Sequence, residues 1–413
     1  MKTKLLVCVL TITSLVFGLT GVSVLATQAA GNPHRVIVTL TSPVNEAART
    51  ALGNHGEILK ELPLGNGLVV LLPSQAAVSA VGTLAGVKRV ETDARVFALA
   101  PPGACTPWPA CKDGGDEEPP EEPSQELPWG VDRVDADLTW SASRGFGVNV
   151  AVIDTGIDNN HPDLVGNLQG GVNFVSKNPR KPADSNKWDD DNGHGTHVAG
   201  IIAAVDNSEG VVGVAPEANL WAVKVLDRNG SGYISDVIAG INWAIANEMD
   251  VINMSLGSSS DVLSLHEAVD VAYTAGVVVV AATGNSGDGN GSTNEVNYPA
   301  KYDSVIAVGA IASDDSTPSW SSEGAEVELA APGVDIKSTW KDGGYNTISG
   351  TSMASPHVAG TVALLLATAD LAPAEVRANL QAAADDLGAV GHDNFYGYGL
   401  VDAEESITGV QTE

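Results

Sequence analysis

Val148-Asn149-Val150-Ala151-Val152-Ile153-Asp154-Thr155-Gly156 decides the architecture. A short apolar run ending abruptly in a carboxylate and a glycine reads as a strand buried on both faces, with its polar residues at the carboxyl end of a sheet. Four more such runs follow, at 220–226, 251–254, 277–282 and 305–309. Segments with helical spacing lie between several of them, at 196–205, 234–247 and 263–275. Apolar strands alternating with helices imply an α/β fold, a mainly parallel sheet sandwiched by helices. Chemistry in such sheets gathers beyond the carboxyl ends of the strands, where Asp154 and Asn285 both fall.

Outward toward the N-terminus the pattern changes. Residues 34–40 alternate like a strand, and 46–60 carry helical spacing interrupted by Gly53. A strand is expected at 68–72, a helix at 75–84 and a strand at 87–96. This predicts a small α+β unit over 31–99 with its helices on one sheet face. Residues 100–124 are rich in proline and acid, which marks an exposed linker, a domain boundary and a natural place for proteolysis. A large domain is expected over 125–407. Residues 1–30 hold Lys2 and Lys4, an apolar run at 5–16 and small residues at Ala26, Ala29 and Ala30. That is the pattern of a secretory signal peptide, so the protein is expected outside the cell; an uncleaved N-terminal anchor is the alternative. No later stretch reaches the ~18 apolar residues of a membrane span. In an export context Cys105 and Cys111 are expected to close a small disulfide loop.

The 413 residues include 51 Asp and Glu against 21 Lys and Arg, a formal net charge of −30. That sign argues against nucleic acid and anionic membrane surfaces as partners.

A second stretch, Gly350-Thr351-Ser352-Met353-Ala354-Ser355-Pro356-His357, runs into an apolar helical segment. It places Ser352 at a helix start, where unpaired N–H groups would stabilise an oxyanion; helix capping is the plainer role. His194 lies between glycines in Gly193-His194-Gly195-Thr196-His197, accessible at another helix start, while His197 packs beneath the helix. A nucleophile, a base and a carboxylate that fixes the base's tautomer make up a serine-hydrolase triad.

In the order Asp154, His194, Ser352, these three blocks resemble the subtilisin-like serine proteases over about residues 125–403. The resemblance implies that Asp154 orients, His194 acts as base then acid, and Ser352 forms the acyl-enzyme. It gives Asn285 the role of oxyanion donor. It lines a peptide cleft with Gly230, Ser231 and Gly232 on one side and Ser255, Leu256 and Gly257 on the other. Ala281, Ala282 and Thr283 wall the first pocket. Asn297 stands before Tyr298-Pro299 where the family often has glycine, so a shallower, more polar pocket is expected. A structural calcium ion would be held by side chains of Gln125, Asp163 and Asn207 and carbonyls of Val205, Glu209 and Val211. The acidic residues Asp184, Asp189, Asp190 and Asp191 resemble an extra calcium loop, or are simply solvated.

By the same resemblance the N-terminal unit is a ferredoxin-like propeptide, a folding template and inhibitor whose apolar tail lies in the cleft. Self-cleavage is expected near Leu99-Ala100, with Ser124-Gln125 the rival. The function expected is a secreted, calcium-stabilised serine endopeptidase made as a self-processing zymogen, acting on proteins or peptides as a monomer. A dedicated maturation protease and a silent peptide-binding pseudoprotease are the alternatives.

Overall fold

A computed structural model describes residues 33–99, 124–176, 178 and 182–410. The expected signal peptide, most of the linker, and Cys105 and Cys111 lie outside the described residues. Among the described residues no helix is long and apolar enough to cross a membrane.

The N-terminal unit runs β1 (His34–Leu40), α1 (Glu46–Gly53), β2 (Glu57–Leu62), β3 (Gly67–Leu72), α2 (Gln75–Gly82) and β4 (Val87–Thr92). Its sheet has the order β2-β3-β1-β4, with every pairing antiparallel, a ferredoxin-like arrangement. Alternation does two jobs in β1. Val36, Val38 and Leu40 pack with Leu52 and Val81 of the helices, while Ile37 joins Leu62 and Val69 in a core shared with the large domain. The helix expected over 46–60 stops at Gly53. Leu52 O takes the N–H groups of both His55 and Gly56, and a Cβ on Gly56 would meet Leu71 O at 2.4 Å. The following residues therefore pair as a strand.

The strand expected over 87–96 also divides. Asp93 ends it, because its carboxylate leaves the sheet to accept Arg35 Nε and the N–H and hydroxyl of Ser235 in the large domain. The chain resumes as β5 (Arg95–Ala98), which belongs to a different sheet.

The large domain opens with two short helical turns, α3 (Trp129–Arg133) and α4 (Ala136–Thr139). Its elements are then β6 (Asn149–Asp154), β7 (Leu168–Asn173), α5 (His194–Ala203), β8 (Asn219–Lys224), β9 (Ser231–Tyr233), α6 (Ile234–Ala246), β10 (Val251–Met254) and β11 (Leu256–Gly257). They continue as α7 (Leu263–Thr274), β12 (Val278–Ala282), β13 (Ile306–Ile311), β14 (Leu329–Pro332), β15 (Ile336–Trp340), β16 (Gly344–Ile348), α8 (Thr351–Leu366), α9 (Pro373–Ala383) and α10 (Ala403–Thr408). Seven strands form one parallel sheet in the order β14-β13-β12-β10-β6-β8-β7.

Both sheet faces are buried. In β6, Val150 and Val152 join the core under α5 and α8, while Ala151 and Ile153 join the core under α6 and α7. That double burial makes the strand read as an apolar run rather than an alternation. The strand order reverses direction at the β6–β10 neighbour pair, which opens a crevice at their carboxyl ends.

Candidate active site

Asp154 ends β6 at that crevice, with no solvent exposure. Its Oδ1 accepts the Thr155 N–H at 2.6 Å and lies 2.7 Å from His194 Nδ1. A carboxylate there fixes Nδ1 as the protonated nitrogen and leaves Nε2 as the basic one. His194 opens α5, and the close approach has a steric basis. A Cβ on Gly195 would meet Gly156 O at 2.2 Å and Asp154 Cβ at 3.2 Å. Asp190 anchors the helix start by accepting the N–H groups of Asn192 and Gly193 on Oδ1, and the N–H and hydroxyl of Thr196 on Oδ2. His197, one turn on, is buried with Nε2 3.1 Å from the carbonyls of Ile336 and Asn346. Burial, then the nearby His194, pushes it down to about 3, so it stays neutral and packs as expected.

Ser352 lies in the first turn of α8, which packs against α5. Its side chain does not cap the helix. Oγ lies 3.0 Å from Ser255 O and 3.4 Å from Leu99 O. Pro356 sits four residues on, inside the helix. A proline there ordinarily costs about 3 kcal/mol, partly because the carbonyl four residues back loses its donor. Here that carbonyl, Ser352 O, accepts Ser255 Oγ at 2.8 Å instead. Asn253 donates to Ser255 Oγ and accepts from Ser355 Oγ, which completes a buried network under the serine. Sequence reading missed Asn253, Ser355 and Thr351, because each looks like an ordinary core or cap residue until its partners are known.

Asn285 follows β12. Its Oδ1 accepts the N–H and the hydroxyl of Thr351, both at 2.9 Å. Its Nδ2 is buried without a hydrogen-bond partner among the described residues. A Cβ on Gly350 would lie 3.2 Å from Asn285 Nδ2 and 3.3 Å from Leu99 O, so Gly350 keeps the donor and that carbonyl open to each other.

The cleft is filled by the protein's own chain. β5 lies between β11 and β9 in a three-stranded antiparallel sheet. Ala98 and Phe97 pair with Leu256 and Gly257, while Phe97, Val96 and Arg95 pair with Ser231, Gly232 and Tyr233. Gly230 O accepts the Ala98 N–H at 2.8 Å. The two segments expected to line the cleft therefore both pair with β5. Val96 has no exposure; burying such a side chain contributes about 1.5–3 kcal/mol. Phe97 on the opposite face is half exposed. The Leu99 side chain lies beside Gly257 and Asn297, since a Cβ on Gly257 would lie 3.0 Å from Leu99 Cδ2 and 3.0 Å from Asn297 Cβ. The Asn297 N–H donates to Thr283 O at 2.7 Å.

The expected calcium residues converge. Asp163 is fully buried; Oδ1 accepts Asn207 Nδ2 at 2.9 Å, and Oδ2 accepts Val211 N at 3.0 Å and Tyr345 OH at 2.8 Å. Gln125 Nε2 reaches Val205 O (2.8 Å) and Val211 O (3.4 Å), and its Oε1 accepts Asn207 N. Glu209 N donates to Asn207 Oδ1. Both amides turn their nitrogen toward the carboxylate and the carbonyls; with the two amides turned over, two carbonyls, two amide oxygens and a carboxylate would make a hard-oxygen donor set of the kind calcium takes. The second acidic loop does not gather in this way. Asp184 pairs with Lys187, Asp189 accepts Asn159 N, Asp190 anchors α5, and Asp191 pairs with Lys224. Each carboxylate already has its own partner.

The model of the subtilase family matches residues 145–399. Subtilisin E of Bacillus subtilis (strain 168) is 49% identical over 285 residues, 68% of this chain and 72% of that protein. Subtilisin DY of Bacillus licheniformis is 49% identical over 284 residues, 68% of this chain and 98% of that protein. An intracellular serine protease of Paenibacillus polymyxa is 50% identical over 245 residues, 59% of this chain and 74% of that protein. With the carboxylate–imidazole pair, the buried serine and the occupied strand-pairing cleft already described, the chain belongs to the subtilase family and is a subtilisin-like serine endopeptidase.

Proposed function

We propose that Ser352, His194 and Asp154 carry the hydrolysis, and that the chain is a secreted zymogen that cuts itself after Leu99. Ser352 Oγ attacks the scissile carbonyl carbon as His194 Nε2 takes its proton. Asp154 holds the ring in the required tautomer and balances the imidazolium charge. Asn285 Nδ2 and the Ser352 N–H, which has no intrahelical acceptor in the first turn, stabilise the tetrahedral oxygen. His194 then protonates the leaving amine, and water attacks the acyl-enzyme by the reverse path.

The observation that carries this reading is the Leu99 carbonyl oxygen, 3.4 Å from Ser352 Oγ at the end of a strand paired on both sides. That is how an extended peptide substrate is recognised, by main-chain pairing with side chains sorted into pockets. The same geometry favours the Leu99–Ala100 bond over the bond near Ser124-Gln125, since Gln125 lies at the expected calcium site. The N-terminal unit acts as inhibitor while its tail fills the cleft. Calcium, when bound by Gln125, Asp163, Asn207 and the carbonyls of Val205, Glu209 and Val211, supplies a structural clamp on the start of the mature domain. Export rests on residues 1–30, and a disulfide between Cys105 and Cys111 would suit that compartment.

N-terminal sequencing of the processed protein tests the reading. Wild type should begin at Ala100, and Ser352→Ala should remain an unprocessed precursor. Normal processing of Ser352→Ala expressed alone would remove the proposal.

A further inference from the structure

The loop from Asn285 to Asn297 carries the oxyanion donor at one end and the pocket residue at the other. Its middle meets the 318–324 segment: Gly287 N donates to Trp320 O and Glu295 N to Glu323 O. One carboxylate oxygen from each of Asp288, Glu295 and Glu323 comes within 4.8 Å of the other two. Three like charges that close repel unless something compensates them.

Glu323 sharpens the point. It is only 1% exposed. Its Oε1 accepts the Asn290 N–H at 2.8 Å, but Oε2 has no hydrogen-bond donor among the described residues. Glu295 Oε2 is likewise buried without a donor. Neither these two nor Asp288 has an ion-pair partner among the described residues, although nearby Lys301 pairs with Glu326. A buried carboxylate oxygen lacking a donor is costly unless a proton or cation meets it.

We propose that Asp288, Glu295 and Glu323 form a divalent-cation site of calcium type, closing the substrate-pocket loop onto the 318–324 segment. Hard carboxylate oxygens suit calcium, and exposed Asp288 leaves the site open to solvent for entry and for completing the shell with water. The ion would neutralise the repulsion and pin the loop between Asn285 and Asn297. Its effect on substrate turnover rests on the roles proposed above for those residues; cation binding does not.

The test is calorimetric titration of chelator-stripped full-length Ser352→Ala with calcium, in excess magnesium to suppress weak surface binding. Introducing Glu323→Gln should remove one bound calcium per chain, or weaken that ion at least tenfold. Asp288→Asn, at an exposed position, should do the same and carries the test if Glu323→Gln fails to fold. Unchanged calcium stoichiometry and affinity in the folded variants would overturn the proposal. So would a calcium-independent rise in melting temperature as the only consequence of Glu323→Gln, which marks a protonated, ion-free pair.

Discussion

Thr351 holds Asn285 through two hydrogen bonds to one oxygen, from its N–H and its hydroxyl, both 2.9 Å. The amide is thereby fixed oxygen-inward and nitrogen-outward. Thr351→Val keeps the shape and the N–H bond but loses the hydroxyl. We expect kcat to fall about tenfold with KM nearly unchanged, the size of one or two lost hydrogen bonds. Asn285→Leu should cost more, about 10²- to 10³-fold in kcat, the loss already known for such a donor in subtilisins. Steady-state kinetics on one peptide substrate compares the two; a rise in KM alone would contradict both roles.

If Asn297 forms the wall of the first pocket, its place beside Gly257 and Leu99 means that a ring larger than leucine must displace the amide. Leu peptides should therefore be cut faster than Phe peptides. Asn297→Gly should raise kcat/KM for Phe about tenfold or more, since even one methylene in a pocket is worth about 10- to 200-fold. A wild-type enzyme that strongly prefers Phe would exclude this account.

Calcium removal should lower the melting temperature. A ligand at about 100 times its Kd stabilises by about 2.7 kcal/mol, or roughly 5–10 °C in a domain of this size. Asp163→Asn should abolish most of that shift in scanning calorimetry with and without chelator. Equal melting temperatures for the wild type in both conditions would refute the clamp.

Asp135 and Asp402 make stability fall with rising pH. Both are pushed up to about 6, Asp135 by burial then by Asp402, and Asp402 by burial with nearby Glu405. Their folded pKa exceeds the unfolded one, so the native state holds the extra protons. Stabilisation is full below about pH 4 and is lost as pH rises through 6. Asp135 has a left-handed backbone, φ 52°, which asparagine tolerates. Asp135→Asn should raise the melting temperature by about 2 °C at pH 8 and leave it unchanged at pH 4. A gain equal at both pH values would point to some other cause.

Much of the site was legible because its chemistry is local. Asp154, His194 and Ser352 each stand in a short motif, and glycines beside them mark close approaches of backbone. Helix and strand boundaries were less legible where tertiary contact overrode spacing. Helical spacing runs past Gly53, but β3 claims residues 57–62 as a strand. Asp93 looks like a mid-strand residue, yet Arg35 and Ser235 draw it out of the sheet. The acidic loop before His194 left a shared ion and simple solvation both open, and its composition could not show that each carboxylate has a separate partner.

The amino-acid order alone determined the fold class, the buried parallel strands and the reactive residue types, since periodicity and motif spacing are properties of the chain itself. Only the tertiary structure decided which groups face each other: Leu99 against Ser352, Thr351 under Asn285, and three carboxylates around Glu323. Those pairings join residues far apart in sequence, and packing and hydrogen-bond geometry select among partners that a linear pattern cannot rank.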